Sequence, residues 1–179
     1  LDFDENGNLF CGGSGQSLYR VTTDLSSTTV ADYTDISIRA IRVFNGFVYV
    51  GGNYSGTDDT VPSVGVWKNQ ILSSDGELGE KELVLDWGEL AGVNSNITGI
   101  TFDENSAMYI SSDANVAIGL ISAEGIFSEL FPKIISAPIS KMTWGSTNYL
   151  YLNYRGNPRA LYRLDVGLNG TIYHGRNQR

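Results

Sequence analysis

Four aromatic residues, Phe10, Tyr49, Tyr109 and Tyr151, each close the same short frame. Phe3-Asp4-Glu5-Asn6-Gly7-Asn8-Leu9-Phe10 aligns with Phe102-Asp103-Glu104-Asn105-Ser106-Ala107-Met108-Tyr109. Val43-Phe44-Asn45-Gly46-Phe47-Val48-Tyr49 and Trp144-Gly145-Ser146-Thr147-Asn148-Tyr149-Leu150-Tyr151 repeat it. The closing aromatics are 39, 60 and 42 residues apart. A unit near forty residues cannot bury both of its faces alone, so units of this kind must stack on one another.

Each unit contains four apolar runs. The first reads I-x-x-[IM]-x-[VFW]: Ile38, Ile41, Val43; then Ile97, Ile100, Phe102; then Ile139, Met142, Trp144, with Leu1 and Phe3 fitting its last two slots. A turn of Asp, Asn, Gly or Ser leads to the second run: Leu9-Phe10-Cys11, Val48-Tyr49-Val50, Met108-Tyr109-Ile110 and Leu150-Tyr151-Leu152. Short apolar runs bounded by turn residues predict strands buried between packed sheets. Third strands are expected at 18–21, 64–67, 118–121 and 161–164, and fourth strands at 29–33, 82–87, 126–130 and 171–174. Between third and fourth strands, Ala123-Glu124-Gly125 and Gly167-Leu168-Asn169-Gly170 have hairpin chemistry. No long segment shows a 3.6-residue period, so almost no helix is expected. The fold class is therefore all-β, a β-propeller of four-stranded antiparallel blades. About four blades are visible, near 1–36, 37–95, 96–137 and 138–179, in one propeller domain or part of a larger one.

The formal net charge is −8 and the pI about 4.5. Such a chain repels DNA, RNA and anionic membrane surfaces at long range. No apolar run approaches the roughly 20 residues of a membrane-spanning helix. We therefore expect neither a nucleic-acid partner nor membrane insertion. Cys11, the sole cysteine, cannot form an internal disulfide. It shares a strand slot with Val50, Ile110 and Leu152, which predicts a small buried hydrophobe. Asn53, Asn96 and Asn169 each begin an N-x-[ST] acceptor pattern for N-glycosylation, which points to an extracellular or cell-surface setting.

Little in the chain suggests catalysis. One histidine, His174, and one cysteine cannot assemble a usual zinc ligand set. No G-x-S-x-G elbow accompanies His174 to make a nucleophilic triad. Asp2-Phe3-Asp4-Glu5-Asn6-Gly7-Asn8 looks like the start of a calcium loop, D-x-D-x-N-G. Gly13 stands where the twelfth-position acid belongs, so a hairpin turn and no cofactor are expected, calcium being the one ion this loop could suit.

In a propeller, ligands sit on the face formed by loops between strands two and three and by loops between blades. Here these are 52–62, 111–115, 153–159 and 88–96. They offer Tyr54, Asp58, Asp59, Asp113, Asn115, Asn153, Tyr154 and Arg155, a mixture that suits a sugar or peptide through stacking and hydrogen bonds. A second inserted loop, 69–81, carries the acidic run 75–81 and is expected on the opposite face.

Ile97-Thr98-Gly99-Ile100-Thr101-Phe102-Asp103, then Met108-Tyr109-Ile110-Ser111, then Ala123-Glu124-Gly125, resembles the NHL and gluconolactonase-type repeat. Asn45-Gly46-Phe47-Val48-Tyr49-Val50-Gly51-Gly52 instead resembles a kelch repeat, with its glycine pair after the second strand. The resemblance implies a ring of six to eight blades, with the remaining blades in a longer chain or a second subunit; a closed four-blade ring of the haemopexin kind is the alternative. It is compatible with a non-enzymatic extracellular module for protein or carbohydrate recognition or assembly. It also implies two alternatives. One is a metal-dependent lactonase or esterase with a divalent ion, toward which Asp113 and Asn115 are the available donors. The other is a structural subunit of a virion, filament or surface layer.

Overall fold

The computed structural model describes residues 1–145 and 148–174; Ser146, Thr147 and the end of the last expected blade, 175–179, lie outside the described residues. The chain is all-β and built of β-propeller blades. The described residues divide into two compact units, 1–86 with 172–174, and 87–171, each carrying two sheets.

In the first unit, β1 (Asp2–Phe3), β2 (Leu9–Gly12), β3 (Ser17–Val21) and β4 (Ser27–Asp32) form one antiparallel meander. β5 (Ile36–Phe44), β6 (Phe47–Tyr54), β7 (Val64–Ile71) and β8 (Leu78–Asp86) form the next. The second unit opens with a short helix, α1 (Trp87–Ala91). It continues with β9 (Ile97–Phe102), β10 (Met108–Ser112), β11 (Ile118–Ile121) and β12 (Phe127–Glu129). Its last sheet is β13 (Ile139–Trp144), β14 (Tyr149–Tyr154) and β15 (Ala160–Asp165).

The sequence frame is also the pairing frame. Phe3 faces Leu9, Val43 faces Val48, Phe102 faces Met108 and Trp144 faces Leu150 at the same step of each first hairpin. Two of the closing aromatics, Phe10 and Tyr109, are buried between neighbouring sheets of their unit. Phe10 is buried with Leu18, Tyr33, Ile36, Ile38, Val48 and Val50 between the first two sheets. Tyr109 meets the Trp144 indole edge-on, centroids 5.4 Å apart and planes at 82°. Such a pair contributes about 0.5–1.5 kcal/mol beyond its buried area.

Three local expectations are corrected, while the short helix α1 agrees with the expectation of almost no helix. Cys11 is only half-buried: its side chain projects from the face of β2 opposite Phe10, away from the cluster on the second sheet. The expected loop 69–81 is mostly strand. β7 runs on to Ile71 and β8 starts at Leu78, so the turn shrinks to 72–77, closed by hydrogen bonds from Leu72 N–H to Glu77 O and from Gly76 N–H to Ser73 O.

A helix of five residues forms at α1. Trp87 is fully buried and packs edge-on against Phe127 at 6.1 Å, while Gly92, at φ 92°, donates to Gly88 O and ends the helix. Finally, the fourth strand expected at 171–174 does not pair with β15. Gly170 bridges Asp103 instead, and Thr171 donates from N–H and Oγ1 to Phe102 O. A side chain on Gly170 would overlap the Trp144 indole, so only glycine lets the chain take this route.

Candidate functional site

In blades two, three and four, the first hairpin carries a register shift near the end that leads to the next loop: between Ile38 and Ala40, at Ser111/Ser112, and between Ile139 and Lys141. A bulge increases local twist and re-aims the strand end. The loops expected to bind ligand spring from these ends, and each unit is described in turn.

In the first unit, β6 ends in Asn53-Tyr54-Ser55-Gly56. The Tyr54 hydroxyl accepts from Asp58 N–H at 3.1 Å, and a Cβ on Gly56 would overlap that hydroxyl. Asp58 accepts from the Thr60 hydroxyl at 2.6 Å and from Thr60 N–H at 2.9 Å. These two bonds, the hydroxyl first, hold the Asp58 carboxyl below the usual carboxylate range. Tyr54 N–H to Ser63 O and Ser55 N–H to Asp35 O tie the base. Tyr54 and Asp58 therefore act inward, as clamps on their own loop, and Asp59 is left exposed at the tip.

In the second unit, β14 ends in the same pattern, Asn153-Tyr154-Arg155-Gly156. A Cβ on Gly156 would overlap the Tyr154 hydroxyl, and the Tyr154 ring also lies 5.6 Å from that of Tyr162. Arg155 N–H donates to Pro138 O at 3.0 Å, and the Arg155 and Asn153 side chains are exposed. The other candidates of this unit are held by the loop before β9. Asp113 accepts from Asn96 N–H at 2.9 Å and from Asn96 Nδ2 at 2.8 Å, while Asn115 donates from Nδ2 to Ala91 O at 2.9 Å. No hydrogen bond among the described residues joins Asp113 or Asn115 to Asn153, Tyr154 or Arg155.

The three acceptor-pattern asparagines differ. Asn53 is half-buried within β6 and Asn96 is engaged by Asp113. Asn169 is exposed at a turn, where its N–H and Nδ2 both meet the Glu104 carboxylate.

Asp2 and Asp4 serve the fold. Asp2 accepts from Arg42 and from Val43 N–H, and Asp4 accepts from the backbone of Asn6 and Asn8 and from Asn8 Nδ2. Among the described residues, the donors available for the divalent ion implied by the gluconolactonase-type resemblance form no cage. Asp113 commits both oxygens to Asn96, and among the described residues no group of three or more His, Cys, Asp or Glu stands together to share an ion.

One feature of the first unit escaped the sequence. A cleft of about 610 Å³, lined by Glu5, Asn6, Asn45, Leu72, Ser73 and His174 among others, opens at the turn end of β5 and β6, remote along the strands from Tyr54. Three separate turns and residue 174 build it, and no local pattern announces that convergence.

No family model matches the chain, and no curated protein sequence matches it. Solved structures do match in fold. A luciferin-regenerating enzyme aligns with a TM-score of 0.70 at 16% identity, over 96% of this chain and 62% of that one. A chain of a nidogen/laminin complex aligns at 0.66 and 12% identity, over 92% and 60%. A structure described as a putative gluconolactonase aligns at 0.60 and 13% identity, over 87% and 47%. The chain thus spans less than two thirds of the length of each. The likeness to gluconolactonase-type propellers holds at the level of fold, and the comparisons give no support to the kelch-like resemblance of the second unit.

Proposed function

We propose that this chain is a non-enzymatic recognition module of an extracellular or cell-surface protein, binding protein or carbohydrate through the loop after β6 in the first unit and, as a separate site, the loop after β14 in the second. One observation carries the reading: the same Asn-Tyr-x-Gly device fixes both loops from within. Each tyrosine lies over the glycine two residues on, and in the first unit its hydroxyl also holds Asp58 N–H. A loop fixed before binding loses less freedom on binding, so its exposed polar tips, Asp59 and Arg155, offer preformed hydrogen-bonding groups. Tyr54 and Tyr154 hold the loops and are not themselves the stacking surface.

The fold is neutral on this point, since related architectures occur in a luciferin-regenerating enzyme and in a nidogen/laminin complex alike.

The test uses the chain as it stands on glycan and peptide arrays, beside a variant in which 55–62 is replaced by a short Gly-Asn link. Binding to a defined set of array features by the parent, with those features lost in the variant, is the expected result. Identical binding by both moves the site elsewhere. Turnover of lactone or aryl-ester substrates on addition of a divalent ion overturns the non-enzymatic reading.

A further inference from the structure

We propose that the outer edge of β15 is a docking site for an extended acidic segment of another polypeptide, which adds there as the fourth strand of the blade. This inference stands on the edge of β15 and shares only Arg155 with the loop reading above. The other three sheets hold four strands each, while the last ends at β15, and among the described residues no strand pairs with its outer side. The described residues that follow are committed elsewhere. Asn169 is bound to Glu104, Gly170 bridges Asp103 and Thr171 is bound to Phe102.

The register sets which groups face outward. Val166 N–H donates to Asn148 O, so the pairs two, four and six residues on (Leu150 with Leu164, Leu152 with Tyr162, Tyr154 with Ala160) are the hydrogen-bonded ones. Leu161 and Arg163, opposite Asn153 and Tyr151, then turn their N–H and C=O groups away from β14. An edge of this kind is a template for strand addition.

The side chains select the strand. Leu161 is 71% exposed and Tyr162 38%. In a chain of net charge −8, the β14–β15 hairpin holds three arginines, Arg155, Arg159 and Arg163, against one acid, Asp165. All three arginines are exposed, while Asp165 Oδ1 is already bonded to Asn148 Nδ2 and Gly167 N–H. A second copy is a poor occupant. Pairing two β15 strands antiparallel about Tyr162 sets Arg163 diagonal to Arg159 and Arg163 of the other strand, and like charges at such positions repel. An acidic strand alternating with apolar residues instead sets its carboxylates on the face of Arg159 and Arg163 and its small hydrophobes on the face of Tyr162.

The experiment uses the full chain and a short end-blocked synthetic peptide of alternating glutamate and valine, with a lysine-for-glutamate version as control. Amide hydrogen exchange reads residues 160–165, and fluorescence polarisation reads affinity. The glutamate peptide is expected to slow exchange at Leu161 and Arg163. Its affinity is expected to fall about tenfold in the surface double variant R159E/R163E, with that variant's circular dichroism unchanged. No slowing, or equal slowing by the lysine peptide, overturns the proposal. So does an edge already protected in the free chain: if that protection fades on dilution the occupant is a second copy, and if it does not the chain covers its own edge.

Discussion

The Arg42 guanidinium donates to the Asp2 carboxylate across 2.7 Å, with the Arg42 side chain only 1% exposed. The same carboxylate accepts from Val43 N–H at 2.9 Å, Arg42 also donates to Ile172 O, and its guanidinium lies 3.7 Å from the centre of the Tyr173 ring. One buried cation thus fastens the first strand, the centre of β5 and the segment at 172–173 within the first unit.

Removing one partner of a buried pair leaves a desolvated charge, at a cost of about 3–5 kcal/mol. Asp2→Ala is therefore expected to destabilise the chain by about that amount in urea unfolding, and Asp2→Asn by less, since the amide oxygen still serves Val43 N–H. Equal small losses from both substitutions would show that Arg42 finds another counter-charge.

Gly170 is the second fastening point. Alanine there would overlap the Trp144 indole, and overpacking of this kind costs about 1–3 kcal/mol. Gly170→Ala is expected to lower stability by that amount and to shift the tryptophan emission to the red, whereas Gly167→Ala, which meets open space but has φ 73°, changes stability without the spectral shift.

Tyr33 and Tyr109 report on the two cores. Burial raises both above the ordinary tyrosine value of 10, and for Tyr109 the Asp103 carboxylate adds to the effect. Folding favours the neutral phenols, so their contribution to stability is complete below pH 10 and is lost as pH rises through the higher folded values. An absorbance titration should show these two among the last of the ten tyrosines to ionise, together with alkaline unfolding. Tyr109→Phe should remove one late-titrating group. Early, uniform titration would contradict the packing described.

The repeat was legible because the first hairpins share one register: Phe3–Leu9, Val43–Val48, Phe102–Met108 and Trp144–Leu150 pair at the same step. The departures come from contacts distant in sequence. Composition marks 75–81 as a loop, yet Asn69 Oδ1 accepts from the Tyr33 hydroxyl and Asn69 Nδ2 donates to Gly79 O, which holds the extended ends of β7 and β8. The pattern at 171–174 suits a strand, but Phe102 and Arg42 capture it. The candidate residues were found from their position after second strands; their inward role was not, because Tyr54 on Asp58 and Asp113 on Asn96 depend on loop geometry that spacing does not encode. The repeated Asn-Tyr-x-Gly was present in the sequence and was the one available signal for the loop clamp.

The central claim is that recognition runs through loops held by their own tyrosines. It is tested most directly by calorimetric affinity for an array-defined ligand, in the parent chain and in Tyr54→Phe, which removes only the acceptor for Asp58 N–H. At an unchanged thermal midpoint, affinity should weaken about tenfold, as expected for a loop that must now be ordered on binding. Unchanged affinity would contradict the claim.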